Sequence, residues 1–201
     1  MTMNGQEFIA LLMLATAASF TPGPNTMLST TLAANFGFKR ALRFVLAVPV
    51  GWGLLFTLCA AGVGALVVAV PVLRQAITSG GVVYLLWLAW KLANARSLSQ
   101  VNVDRLNVTF FQGVMLQFLN IKAWFLALTV VAGWLAGRPD ALERFSQTLP
   151  VMLLFGLASN ATYAAVGSLL REWLSHGVRL LWFNRVMAAM LVATAAWMVT
   201  L

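Results

Sequence analysis

Acidic residues are scarce in this chain: Glu7, Asp104, Asp140, Glu143 and Glu172 are the only five among 201 residues. Only Glu7 lies near an apolar run, at its very start, so no carboxylate is available deep in such a run to act as a catalytic base or hold a cation. Histidine occurs once, as His176, in a polar connection. Cysteine also occurs once, as Cys59, which excludes a disulfide framework, a thiol pair for redox work and a soft metal site. Beside Ala60 and Gly62 it reads as a small apolar packing residue. These absences argue against a membrane-embedded enzyme and against a metal transporter, and no cofactor is called for.

Charge as a whole is sparse too. Charged residues make up 9% of the sequence and hydrophobic ones 61%, with a mean hydropathy of +0.88. That is too little polar surface to cover a water-soluble globule. A bilayer crossing takes roughly 20 apolar residues in a helix, and six charge-poor runs of about that length recur, near 8–34, 44–70, 76–95, 108–136, 149–170 and 180–201. None alternates apolar and polar residues as barrel strands do. The expected fold is an all-α membrane protein of six transmembrane helices in one domain spanning 1–201, with the lipid bilayer as its surroundings. Ala15-Thr-Ala17 resembles a signal-peptide cleavage site, but the opening MTMNGQE carries no Lys or Arg, so the first run is expected to remain as a helix.

The net charge of +8 does not point to nucleic acid, because the basic residues are scattered over short connections rather than gathered on one face. Their placement reads as topology. Lys39, Arg40, Arg43, Lys91, Arg96, Arg105, Arg171, Arg179 and Arg185 fall on one side, nine against the three on the other, Arg74, Arg138 and Arg144. The bias puts the nine in the cytoplasm and both termini outside. The longest polar connections, 96–107 and 137–147, are too short to fold alone, so any function is built inside the bundle.

Two places in the runs are costly. The first is Thr21-Pro-Gly-Pro-Asn25, flanked by Ser19 and Thr26. Pro22 and Pro24 lack amide hydrogens, so the carbonyls of Ala18 and Phe20 lose their helical donors, and Gly23 adds backbone freedom. Irregular backbone at membrane depth survives only where protein or a polar cavity covers it. The break therefore faces inward. A helix restarting at Pro24 leaves the amides of Asn25, Thr26 and Met27 pointing into the break, a partial positive charge that attracts carboxylates. A plain proline kink is the other reading; the clustered polar residues favour a binding site.

The second place is Gln117-Phe-Leu-Asn-Ile-Lys122. Lys122 lies midway along its run, where a charge costs about 2.5–3.5 kcal/mol on the mildest scale. It needs either a ligand or the carbonyls of a broken neighbour, and both can hold. Gln117 and Asn120 precede it without sharing its face on a continuous helix. Ser159, Asn160, Thr162 and Tyr163 stand at comparable depth in the fifth run, Ser159 and Tyr163 on one face; interhelical hydrogen bonding explains them as well as a lining role does. The break in run one and the polar group in run four occupy corresponding places in halves that run in opposite directions, which suggests a 3+3 inverted repeat with interrupted helices meeting at the midplane. A channel or a purely structural helical membrane protein is the other class these residues fit.

TPGPN in the first helix, QFLNIK in the fourth and Tyr84-Leu-Leu-Trp-Leu-Ala-Trp-Lys91 in the third together resemble the LysE superfamily of amino-acid exporters, particularly its RhtB branch, over the whole chain. The resemblance implies efflux of a small amino acid by an antiport keyed to the proton gradient, and the polar places read above give it a candidate site at Thr21, Pro22, Gly23, Pro24, Asn25, Asn120, Lys122, Asn160 and Tyr163. Many relatives have Asn-Pro-Lys where this chain has Asn120-Ile-Lys122, which leaves open whether the fourth run is broken. Many also carry an acid where this chain reads Gly51-Trp-Gly53, which leaves proton-coupled and facilitated efflux both open, Lys122 being the one proton carrier at depth. Small-xxx-small spacings such as Ala60…Gly64 fit packing within the bundle or between copies.

Overall fold

The computed structural model describes residues 3–94 and 108–199, so Arg96, Asp104, Arg105 and the connection around them lie outside the described residues. Every regular element among the described residues is helical: α1 (Gly5–Phe20), α2 (Pro24–Phe36), α3 (Phe38–Ala60), α4 (Val63–Ala69), α5 (Pro71–Ala93), α6 (Phe110–Leu119), α7 (Ile121–Val130), α8 (Ala141–Leu174) and α9 (Arg179–Val199). A π-helical turn, Val131–Leu135, extends α7.

Local chemistry sets most of the ends. Asn4 caps α1 by accepting from the Glu7 amide at 2.8 Å, while the Glu7 carboxylate accepts from the Asn4 amide at 3.1 Å, a reciprocal capping box. Thr109 and Gln112 do the same for α6. Gly37, at φ +83°, makes the sharp turn from α2 into α3, a conformation costly for any side chain. Gly62, at φ +98°, splits the expected 44–70 run into α3 and the short α4. The 149–170 run lengthens at both ends into the 34 residues of α8, because Pro150 falls inside the helix without ending it.

Four of these helices, α3, α5, α8 and α9, are long and apolar enough to cross a membrane, and the bent pair α6–α7 makes a fifth. At 16 residues α1 is shorter than that. The outer surface is what lipid requires rather than water: Met13, Val72, Leu142 and Leu169 are each more than two-thirds exposed, and an apolar coat of this kind has no place on a soluble protein.

The buried side chains form two main clusters. One gathers Met27, Leu28, Phe44, Leu85 and Leu191 from α2, α3, α5 and α9. The other gathers Leu11, Trp52, Phe56, Trp124 and Met152 from α1, α3, α7 and α8. The interruptions between α1 and α2 and between α6 and α7 lie where these clusters meet. Glycines bring the helices together: a Cβ on Gly167 would stand 2.1 Å from the Thr30 carbonyl of α2, one on Gly81 2.1 Å from that of Leu119, and one on Gly51 2.6 Å from that of Val114. A Cβ on Gly64 would stand 2.6 Å from the Leu128 side chain, so that glycine packs within the chain.

Candidate functional site

The first helix stops where its donors run out. The last regular bond is Thr21 N–H to Ala17 O at 3.1 Å, and residues 21–23 are extended until α2 starts with Pro24 at its first position. Gly23 has φ −169°, a value any residue adopts, so the backbone freedom expected of it is not used. What Gly23 supplies is its backbone as a cap: its N–H donates to Thr26 Oγ1 at 3.0 Å, and that hydroxyl donates back to the Gly23 carbonyl at 3.1 Å. The Met27 amide already bonds the same carbonyl at 2.9 Å. Of the three amides expected to open into the break, Asn25 and Thr26 are therefore the two left without an intrahelical acceptor.

The orphaned carbonyls of α1 are caught from α7 and α8. Ser159 Oγ donates to Ser19 O at 2.6 Å, Tyr163 OH to Phe20 O at 2.9 Å and Lys122 Nζ to Thr21 O at 2.9 Å. Lys122 thus has the structural task weighed for it, and an ammonium retains two further donors beyond that bond. Ala18, whose carbonyl would have as its helical donor the amide that Pro22 lacks, lines a cavity. Thr162 turns away, its exposed hydroxyl on Ala158 O.

The fourth run is broken as well, by 69°, although it contains no proline. Asn120 makes the break: in an extended conformation (φ −94°, ψ 100°) it ends α6 and caps α7, its side-chain oxygen accepting from the Lys122 amide at 3.2 Å. Asparagine can do this because its side chain substitutes for the missing turn. The break swings Gln117 onto the first break, where it exchanges two amide hydrogen bonds with Asn25, 2.8 and 3.1 Å long, and donates to Gly113 O. Gln117 is wholly buried. Periodicity on a continuous helix hid this partner; only a bend at Asn120 reveals it. Asn160, also buried, accepts from Ser29 at 2.9 Å and donates to Gly156 O.

Between these elements lies a cavity of about 70 Å³. At ~10–15 Å³ per water-sized occupant, it admits roughly five to seven such atoms. Thr21, Gly23, Pro24, Asn25, Asn120, Lys122 and Asn160 line it, as do Pro49 and Trp52 of α3. Pro22 instead faces a second cavity, of about 310 Å³, against α9, and Tyr163 acts as the cap on Phe20. At the Glu7 end of the bundle, Arg144 bridges Glu7 (3.2 Å) and Asp140 (3.0 Å), and Arg138 reaches Glu7 at 3.3 Å. Burial alone would raise the Asp140 carboxyl, but hydrogen bonds from Arg144 and from its own backbone hold it below the usual range. No group of three or more metal-ligating side chains occurs among the described residues.

An apolar helical coat enclosing two broken helices, whose polar groups are turned to one another around a small cavity, defines a multi-pass membrane protein with an interior polar site. The description of the LysE type translocator matches residues 16–200, and the chain belongs to that family. It is 29% identical over 177 residues to the cysteine/O-acetylserine efflux protein of Salmonella typhimurium strain LT2, covering 88% of this chain and 89% of that one. The protein of the same name in Escherichia coli K12 is 27% identical over equal shares. No solved structure matches the chain.

Proposed function

We propose that this protein exports small amino acids or their derivatives, cysteine and O-acetylserine among them, from the cytoplasm across the bacterial inner membrane, and that the cavity between the two helix breaks is the substrate site. The observation that carries this is the joining of both breaks around one cavity by Lys122 on Thr21 and Gln117 on Asn25. A zwitterion leaving water must have both charges answered. Its carboxylate meets the remaining donors of Lys122 and the amides of Asn25 and Thr26; its ammonium meets the Ala18 carbonyl, with Asn120 and Asn160 setting orientation.

In this reading α1–α2 forms one interrupted crossing and α6–α7 another, giving six crossings in two inverted halves that rock about the site. The charge bias sets both termini outside. Cells overproducing the protein should release cysteine or O-acetylserine into the medium faster than control cells, with saturation at high internal concentration. Release of no amino acid above control, across a panel, overturns the proposal. A proton antiport stops when an uncoupler is added, whereas facilitated efflux continues.

A further inference from the structure

Trp52 of α3 takes no part in the charge pairing proposed for the substrate's carboxylate and ammonium. Its ring lines the cavity and the residue is only 7% exposed, yet its indole Nε1 has no hydrogen-bond partner. A buried donor left unpaired costs about 1–3 kcal/mol, and native proteins tolerate few of these without a use for them. The ring is held in place: Trp52 stacks on Phe56 at 5.1 Å and 11°, and Phe56 on Phe145 at 5.3 Å and 8°. Stacking fixes the ring plane; the nitrogen itself is buried rather than open to the cavity, so meeting a substrate requires the ring to turn toward the space that the residue borders.

The polar groups at the two breaks are enough for the α-carboxylate and α-ammonium of an amino acid. Trp52 belongs to α3, an element that contributes to neither break, and Val48, Pro49 and Trp52 are its cavity-lining residues. An indole N–H donates only, so what it lacks is an acceptor. Resting on the exporter reading, we propose that Trp52 is the specificity-determining residue that reads the substrate's side chain, and that it favours small amino acids whose side chain carries an acceptor oxygen, such as an ester carbonyl, over isosteres that lack one. A neutral hydrogen bond of ordinary strength gives a preference of about tenfold.

The test uses the full-length protein in proteoliposomes, with O-acetylserine and O-ethylserine as competing substrates; the second keeps the chain and removes the carbonyl. The wild type should transport the ester about tenfold better. Trp52→Phe keeps an aromatic ring on Phe56 and deletes the N–H, and it should bring the ratio near one. The same variant in detergent should melt within a few degrees of the wild type, because the packing lost with the larger ring is offset by removal of a buried donor that has no partner. A ratio unchanged in Trp52→Phe, or a variant that melts well below wild type or fails to fold, overturns the proposal. Equal transport of both compounds by the wild type overturns it while leaving the exporter reading intact; transport of no amino acid at all removes both.

Discussion

Lys122 concentrates the chemistry of the site in one side chain. Its ammonium holds the Thr21 carbonyl at 2.9 Å while the residue lines both cavities beside the break. The two tasks differ in energetic weight. Thr21 is exposed, so losing that one bond costs at most about 1 kcal/mol, whereas in the proposed site removing the cation set against the substrate carboxylate costs on the order of 2–5 kcal/mol of binding. Lys122→Met, which also relieves the burial of a charge, should therefore insert and fold with a slightly lowered melting temperature. Its transport should fall about 30-fold or more. Efflux normalised to folded protein in the membrane separates the two effects, and wild-type transport by that variant would remove Lys122 from the binding role. Lys122→Arg keeps the charge but spreads it over a planar fork, and should retain only part of the activity.

At the scale of elements, contact between helices depends on glycines that differ in what surrounds them. Gly167 lets α8 lie directly on the Thr30 carbonyl of α2, where a Cβ would have to approach to 2.1 Å. A backbone oxygen cannot swing aside as a side chain does, so Gly167→Ala must push α2 and α8 apart and should cost about 3 kcal/mol. Gly23→Ala is different: its Cβ would meet Lys122 Nζ at 3.4 Å and Cδ at 3.5 Å, ordinary contact distances to a flexible chain. That variant should fold like wild type. Thermal melts of the two variants in detergent test the contrast, and equal losses at both positions would show that helix approach is not what Gly167 secures.

For the whole molecule, the proposed orientation rests on charge rather than on shape. The turn at Gly37, next to Lys39 and Arg40, lies against Arg171, and Ala34, Leu174 and Leu180 pack together beside it, while Glu7 and its arginine partners form a separate cluster. Two cations rest on aromatic faces: Lys91 Nζ lies 3.6 Å from the Trp87 ring centre and Arg179 4.7 Å from that of Trp173. Amphipathic pairs of this kind suit the headgroup region. A reporter active only outside the cytoplasm should work when fused after Leu201 and be silent when fused near Gln100. The reverse pattern would overturn this topology.

Composition alone was enough to make this chain a helical membrane protein, because a sequence with so few charges has no other solvent available to it. The first break was equally legible, since the missing amide hydrogens of Pro22 and Pro24 are covalent facts that no packing can undo. The need of Lys122 for a partner could be read from the cost of its burial. The identity of that partner could not: Thr21 lies 101 residues away, and only the packing of α7 on the end of α1 brings them together. The same holds for the second break, where Asn120 bends the chain through a choice between equally available local conformations, and that bend sets Gln117 on Asn25. Local chemistry decides where a helix can no longer continue; which distant side chain then answers its exposed groups is decided by the tertiary structure, since only packing sets the distance over which a hydrogen bond can form.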